Sequence, residues 1–244
     1  MQFQLAAPYS SSSELRRRLS RGQAHMPPYE ITKEKFRLLI PESFSPGANS
    51  TNWGLLVWVS PSDSPNVPAE WEPLLARHKL LLIGAYNAGN QRNSFDRFRL
   101  AVDASHNIRQ RFRLDPKRIY VSGFSGGGRI ASMLGVGYGD IFRGTLPICG
   151  VNFYTDLPAE GGKTFEHSYI PDSGIAALAR TNGRFALLTG ESDPNRENTK
   201  AAYEHGFRKY TFSHVLYLEV PKMGHAIPSA EWIEKALDFL DSVK

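Results

Sequence analysis

Short, almost unbroken apolar segments recur along the chain and alternate with segments whose apolar residues repeat at helical spacing. The expected strands lie at residues 35–40, 53–60, 79–86, 119–122, 144–150, 184–190 and 214–220, and the expected helices at 94–112, 127–136, 173–180, 195–210 and 229–243. Strands that are apolar on both sides are typical of a parallel sheet covered by helices on both faces. The pattern therefore predicts a doubly wound α/β domain, with its active site at the carboxyl ends of the strands.

The length of 244 residues suits one such domain, and 41% apolar and 22% charged residues are globular values. We place this domain at residues 29–244. Residues 1–28 are polar and rich in serine and arginine, and we expect them to form a weakly ordered N-terminal arm. No apolar run reaches the roughly 18 residues that would span a bilayer.

The net charge is +5, and arginines concentrate at residues 16–21 and 92–118. Such clusters suit nucleic-acid binding. In the second cluster, however, apolar residues from Phe95 to Phe112 recur at helical spacing, so we assign these arginines to the solvated face of a packed helix. We therefore expect neither a nucleic acid nor a membrane as a partner.

Cys149 is the only cysteine, which excludes disulfide bonds within the chain and fits a reducing compartment. The N-terminus has no basic region ahead of an apolar core. The sequence as written is therefore typical of a cytoplasmic protein, while export with a removed leader stays open.

The segment SGFSGGGRI, residues 122–130, joins an expected strand to an expected helix and places four glycines around Ser125. Residues 123–127 fit G-x-S-x-G, the pattern of a serine nucleophile on a sharp strand-to-helix turn. A P-loop would need Lys-Ser/Thr after the glycines, where this chain has Arg129 and Ile130, and the dinucleotide fingerprint would need G-x-G-x-x-G. We interpret Ser125 as a nucleophile, with a plain tight connection as the alternative.

A serine nucleophile needs a base, and in this arrangement an acid and then a histidine follow the serine along the chain. His225 lies between the last expected strand and the closing helix, at the edge where the site is expected. The acid should follow the strand at 184–190, where Asp193 precedes Pro194 and Glu191 is the nearest rival. We predict Asp193, because a short, fixed carboxylate holds one imidazole tautomer. A turn or helix cap is the other interpretation of this residue.

Two backbone N–H groups are needed to stabilise the oxyanion. We predict Gly126, which follows the nucleophile, and Ser62, in the loop after the strand at 53–60, because Pro61 has no N–H to donate. For substrate binding we predict an aromatic surface with polar contacts. Its candidate residues are Phe124, Tyr86, Asn87, Asn90, Phe153 and Tyr154. The aromatic residues among them would suit the hydrophobic core equally well.

Three segments carry a family resemblance: YVSGFSGGGRIASML around Ser125, LLTGESDPN around Asp193 and MGHAIPSAEWIEKALDFL around His225. Over roughly residues 35–243 the chain resembles the α/β-hydrolase fold, and within it the serine esterases grouped with polyhydroxybutyrate depolymerases and feruloyl esterases. The resemblance implies an eight-stranded, mostly parallel sheet, a Ser-His-Asp triad, no cofactor or metal, and hydrolysis of carboxylic esters through an acyl-enzyme. Many relatives have His-Gly where this chain has Ser60-Pro61, and this departure bears on the oxyanion hole.

The loop at 151–172 is too short for a large helical lid, so we expect an open site. The expected partner is a small-molecule or polymer-borne ester. The same triad serves thioesterases and peptidases, and a non-catalytic or weakly active binding protein of this fold is a further alternative.

Overall fold

The computed structural model describes residues 1–20 and 26–242, and in this part of the chain the central element is a seven-stranded sheet. The strands of the chain are β1 (Phe36–Leu39), β2 (Gly54–Val59), β3 (Leu80–Ala85), β4 (Ile119–Phe124), β5 (Gly144–Ile148), β6 (Leu157–Pro158), β7 (Thr164–Phe165), β8 (Arg184–Gly190) and β9 (His214–Val220). Strands β6 and β7 pair with each other as a separate ribbon. The other seven are the seven strands that the sequence pattern predicts.

The order of strands in the sheet is β1-β3-β2-β4-β5-β8-β9, and every neighbouring pair except β1 and β3 is parallel. The loops after the parallel strands therefore gather at one edge, where the site is expected. The resemblance implies an eight-stranded sheet, whereas the central sheet of the described residues has seven strands. At the free edge of β1, Met1 and Phe36 instead exchange two backbone hydrogen bonds of 2.6 and 2.8 Å.

Helices cover both faces of the sheet. They are α1 (Ser12–Leu19), α2 (Trp71–Arg77), α3 (Ser94–Arg111), α4 (Gly126–Gly137), α5 (Ser173–Asn182), α6 (Arg196–Ala201), which continues as a π-helical turn (Ala202–Arg208), and α7 (Ala230–Asp241). Short 3-10 turns lie at Pro8–Ser10, Ile31–Lys33, Ala48–Asn52, Pro116–Arg118 and Glu160–Gly162. The sequence pattern predicts neither α1 nor α2, because helices of eight and seven residues offer barely two turns of periodicity.

The sheet separates two hydrophobic cores, and β2 shows why its sequence is apolar throughout. Leu55 and Val57 point into the larger core with α3 and α4, while Leu56 and Trp58 point into the smaller core with α2 and α7. Successive side chains of a strand alternate between faces, so burial on both faces requires an unbroken apolar run.

The N-terminal segment differs from the weakly ordered arm that its composition predicts. In its described part, residues 1–20, Leu15 and Leu19 are buried in the larger core. The guanidinium of Arg18 is buried as well and forms a 2.7 Å ion pair with Asp140. A few apolar residues at helical spacing anchor the segment, and an average composition does not reveal them.

Residues 21–25 of the expected arm lie outside the described residues, and a domain boundary at residue 28 stays a prediction. Between residues 151 and 172 the chain forms the short β6–β7 ribbon and a 3-10 turn rather than a large lid. Among the described residues, none of the helices combines the length and the apolar character that crossing a bilayer requires.

Candidate active site

Ser125 lies on the turn between β4 and α4 with a φ of 56° and a ψ of −120°, a conformation that residues with side chains rarely adopt. The turn is tight. A Cβ on Gly123 would lie 2.4 Å from the Gly127 carbonyl, and a Cβ on Gly127 would lie 1.9 Å from the Val59 oxygen. Both positions therefore require glycine, and together they hold Ser125 just beyond the carboxyl end of β4.

The N-terminus of α4 lies directly behind the serine. Gly126 is the first residue of this helix, so its N–H has no acceptor one turn earlier within the helix. The aligned peptide dipoles make a helix N-terminus positive. The surroundings of Ser125 therefore favour negative charge at its hydroxyl and near it.

Ser125, His225 and Asp193, which come from three loops, meet at this edge of the sheet. Nε2 of His225 is 2.9 Å from Oγ of Ser125, and Nδ1 is 2.8 Å from Oδ1 of Asp193. In the tautomer that satisfies both contacts, Nδ1–H donates to the carboxylate and Nε2 accepts from the serine hydroxyl. The imidazole is 33% exposed, whereas the Asp193 side chain is fully buried.

The carboxylate of Asp193 is held from several sides. The Thr189 hydroxyl donates to Oδ2 at 2.8 Å, and the backbone N–H of Asn195 donates to Oδ1 at 3.1 Å. Burial by itself would raise the pKa of Asp193, but the hydrogen bonds from Asn195, His225 and Thr189, together with the adjacent Cys149 thiol, outweigh it and lower the pKa. Asp193 is therefore ionised at neutral pH and oriented toward the histidine.

Glu191, the rival acid, has a different partner. Its carboxylate accepts a 2.7 Å hydrogen bond from the backbone N–H of Lys222, a residue with a φ of 58° in the turn after β9. Glu191 therefore supports the loop that carries His225, while Asp193 is the acid bonded to the imidazole.

Arg129, on α4, supports the loop that carries Asp193, and no sequence pattern marks it as a site residue. Its guanidinium donates to the side-chain oxygens of Asn152 and Asn195, both at 2.9 Å. Burial lowers the pKa of Arg129, and the negative charge of Asp193 opposes this effect. The available signal was its position four residues after Ser125, which places both residues on the same side of the helix.

Cys149 is buried beside the acid and the histidine. Its Sγ and the potential ligand atoms of Asp193 and His225 all lie within 4.8 Å of one another, a set that contains candidate metal ligands. Burial, and next the neighbouring Asp193, raise the pKa of the thiol to about 12. The raised pKa favours the protonated thiol, and His225 and Asp193 are already hydrogen-bonded to each other, so this set suits a hydrogen-bonded triad better than a metal site.

The loop after β2 should provide the second N–H of the oxyanion hole, but the N–H of Ser62 is already hydrogen-bonded within the loop. The N–H of Ser62 donates to Oγ of Ser60 at 3.1 Å, so it already has an acceptor. The N–H of Asn90 donates to the Pro61 carbonyl at 2.9 Å, and the Asn90 side-chain oxygen lies 2.1 Å from the position of a Cβ on Gly126. The loops after β2 and β3 therefore meet at the N-terminus of α4.

Three of the predicted substrate-binding residues lie at this edge. Phe124 precedes the nucleophile, and its ring centroid is 4.9 Å from that of His225. Tyr86 and Asn87 are exposed in the loop after β3. Phe124 therefore lies beside the histidine, and contact of Tyr86 or Asn87 with a ligand stays a prediction.

Phe153 is a core residue instead, and Tyr154 is half-buried against the core. Phe153 is 3% exposed, and its ring packs 4.9 Å from that of Phe207 and 6.2 Å from that of Phe212. Tyr154 stacks on Phe153 at 4.3 Å. The prediction of Phe153 as a substrate contact is wrong because the π-helical turn after α6 brings Phe207 against it, and Tyr154 follows it into this aromatic cluster.

No family model and no curated protein sequence matches this chain. Solved structures do match it. S-formylglutathione hydrolase (FrmB) from Staphylococcus aureus superimposes with a TM-score of 0.60 at 14% identity, over 86% of this chain and 93% of that one. The feruloyl esterase module from Clostridium thermocellum superimposes with a TM-score of 0.55 at 12% identity, over 86% of this chain and 81% of that one.

A peptidase is also similar in structure. Dipeptidyl peptidase 4 from Porphyromonas gingivalis gives a TM-score of 0.57 at 15% identity over 85% of this chain, which spans only 33% of that protein. At such identities the likeness concerns the fold. The chain has the α/β-hydrolase fold, with a mostly parallel central sheet flanked by helices.

Proposed function

We propose that this chain is a serine hydrolase that cleaves carboxylic esters, with Ser125, His225 and Asp193 as its catalytic triad. The observation that carries the proposal is the pair of hydrogen bonds, 2.9 and 2.8 Å long, made by the two imidazole nitrogens. The left-handed backbone at Ser125 adds support, because such strain persists only where the surrounding structure enforces it. The hydrolase and esterase among the structural neighbours support the same class of reaction.

In the proposed reaction, Oγ of Ser125 attacks the ester carbonyl carbon while Nε2 of His225 takes the hydroxyl proton. The imidazolium that forms is stabilised by the ionised Asp193. Collapse of the tetrahedral intermediate breaks the bond to the alcohol oxygen, and His225 gives its proton to the leaving alcohol. Water then attacks the acyl-enzyme in the same way, which releases the acid and restores the serine.

The Gly126 N–H, at the positive end of α4, is the first proposed donor to the oxyanion, and the Ser62 N–H is the second. To donate to the oxyanion, the Ser62 N–H must exchange its present acceptor, Oγ of Ser60, for the substrate oxygen. The displaced hydroxyl has another partner within reach, because Oγ of Ser60 is 3.0 Å from Oγ of Ser62. The exchange therefore leaves no buried group without a hydrogen bond.

We propose a small-molecule or polymer-borne ester as the substrate. The imidazole of His225 is partly exposed, and Tyr86 and Asn87 are exposed in the loop after β3, which supports a site that does not have to enclose its ligand. The same triad would also act on thioesters or peptides, and the peptidase among the structural neighbours keeps the peptide alternative open. Rates on matched ester, thioester and amide substrates of one acyl group would separate these reactions.

A second candidate is a binding protein with little or no turnover. The observation that favours it is the Ser62 N–H, which is bonded to Ser60 instead of being free for an oxyanion. Loss of one oxyanion donor costs about 100- to 1,000-fold in rate. A weakly active protein of this kind would bind an ester but release little product.

Labelling with a fluorophosphonate, together with hydrolysis of p-nitrophenyl acetate, tests the proposal. We expect the wild type to be labelled and active, and Ser125→Ala to lose both properties. Ser192→Ala is the matched control, because Ser192 is an exposed serine in the loop that carries Asp193. Labelling that persists in Ser125→Ala contradicts the nucleophile. A wild type that binds an ester analogue without labelling or turnover supports the binding protein.

A further inference from the structure

Arg97, on α3, is a buried cation that has no carboxylate partner in the described part of the chain. It is 5% exposed, although the sequence pattern assigns it to a solvated helix face. On the same helix, Arg92 and Arg99 both pair with Asp96, at 3.4 and 3.1 Å. Arg97 thus differs from its neighbours in carrying an unneutralised charge.

The surroundings of Arg97 are mainly apolar. Val59, Ala88 and Leu100 line the small cavity beside it, and its Nε has no hydrogen-bond partner among the described residues. Burial lowers the pKa of Arg97 to about 10, so the side chain is still positive at neutral pH. A buried charge without a partner reduces stability, and an apolar side chain of similar length would fill this space at less cost.

Arg97 is hydrogen-bonded to residues 60–62, the loop after β2 that contains the predicted oxyanion donor Ser62. We call this segment the oxyanion loop. Nη2 of Arg97 donates to the backbone carbonyl of Ser60 at 3.0 Å. The carbonyl carbon of Ser60 in turn lies 3.3 Å from the position of a Cβ on Gly127, two residues after Ser125. The guanidinium therefore lies behind the peptide that contacts the nucleophile turn.

We propose that Arg97 is a positioning residue for the oxyanion side of the site, and that its charge stabilises the tetrahedral intermediate from behind the loop. This inference rests on the proposed esterase function. By holding the Ser60 carbonyl inward, Arg97 fixes the direction of the next two peptides and with it the place of the Ser62 N–H. Because Pro61 has no N–H, this loop offers fewer donors than one with glycine there, and a nearby positive charge compensates for the difference.

Three variants test the role of Arg97. Arg97→Met removes its charge and its hydrogen bond but keeps much of its volume, and Arg97→Lys keeps a charge and a donor. Arg99→Met is the matched control, because Arg99 is buried on the same helix and donates to Pro27 and Ser12 instead of the oxyanion loop. For each variant, kcat and KM on p-nitrophenyl acetate and the temperature of unfolding are measured.

We expect Arg97→Met to lower kcat by about 10- to 100-fold, less than the loss of a whole oxyanion donor, with KM within about twofold. Its unfolding temperature should not fall. Arg97→Lys should recover most of kcat, and Arg99→Met should keep kcat but unfold at a lower temperature. A wild-type kcat in Arg97→Met, or an Arg97→Lys enzyme as slow as Arg97→Met, overturns the inference and leaves the proposed function intact. A wild type without turnover or labelling overturns both.

Discussion

Two histidine–aspartate pairs of nearly equal geometry lie at opposite ends of the parallel strands. At the carboxyl end, Nδ1 of His225 is 2.8 Å from Asp193, and at the amino end, Nδ1 of His78 is 2.7 Å from Asp241. His78 lies just before β3, and Asp241 is the last residue of α7. A short bond between an imidazole and a carboxylate therefore does not by itself identify an active site.

The two pairs differ in what else they contact. Nε2 of His78 is 3.9 Å from the carboxylate of Asp238, whereas Nε2 of His225 is 2.9 Å from the hydroxyl of Ser125. Asp241 also accepts hydrogen bonds from Arg118 and from the Tyr120 hydroxyl, both at 2.7 Å. The amino-end pair therefore fastens the last helix to the sheet. The strained turn at Ser125 is what distinguishes the carboxyl-end pair, and substitutions in the two pairs should therefore have different effects.

Removing each histidine should separate chemistry from stability. His225→Ala should lower kcat/KM by about 10⁴-fold or more, because the serine loses its base. His78→Ala should keep the activity and lower the free energy of unfolding by about 1–3 kcal/mol, because Asp241 loses a partner. Ester hydrolysis and urea unfolding measure the two effects. Inactivity of a folded His78→Ala protein would contradict the assignment of the two pairs.

Neutralising the carboxyl-end acid should have the next largest effect. Asp193→Asn should lower kcat by about 10⁴-fold, because an amide at this place favours the wrong imidazole tautomer. The matched control is Glu191→Gln, in the same loop. It should keep kcat within about twofold, because the glutamine oxygen can still accept the hydrogen bond from the Lys222 N–H. An equal loss in both variants would mean that the acid is not uniquely Asp193.

The sheet and the meeting of Ser125, Asp193 and His225 at one edge could be predicted because each depends on a pattern that is local in the sequence. Burial on both faces gives β2 and β3 their unbroken apolar runs. The nucleophile turn needs its glycines at fixed distances from Ser125, and the loops that hold Asp193 and His225 follow recognisable strands. In each case a few residues that are neighbours in the sequence determine most of the local structure.

Residues whose role depends on contacts between distant segments could not be assigned in this way. Phe153 follows β5 and looks like a site residue, but its burial depends on Phe207, more than 50 positions later. Arg97 has the helical position of a surface residue, and only the packing of α3 against β2 and β3 buries it. The N–H of Ser62 is likewise occupied by a hydrogen bond to the Ser60 side chain, and hydrophobic periodicity carries no information about such a bond.

The acid dependence of stability should reveal the structural pair. Burial would raise the pKa of Asp241, but hydrogen bonds from His78, Arg118 and Tyr120 outweigh it and lower the pKa. The ionised carboxylate therefore stabilises the fold above its unfolded pKa near 3.8, and this contribution is lost as the pH falls through the lower folded pKa.

Asp241→Asn should therefore be less stable than the wild type at neutral pH and should lose less of its remaining stability on acidification below about pH 4. Urea unfolding at several pH values measures how steeply the free energy of unfolding falls with pH, the acid slope. Asp238→Asn is the matched control, because that side chain is 71% exposed. An unchanged acid slope in Asp241→Asn would show that another group causes the acid sensitivity.

The smallest expected effect concerns Cys149, the buried thiol beside Asp193 and His225. With a buried side chain and a pKa raised to about 12, its thiol should resist a disulfide reagent in the folded protein and react fully in urea. Cys149→Ala should lower kcat by about two- to tenfold, because the thiol donates one hydrogen bond, to the carbonyl of Ala226 next to His225. Thr189 and Asn195 still hold the carboxylate in that variant. A loss as large as that of Asp193→Asn would mean that these two bonds cannot orient Asp193 without the thiol.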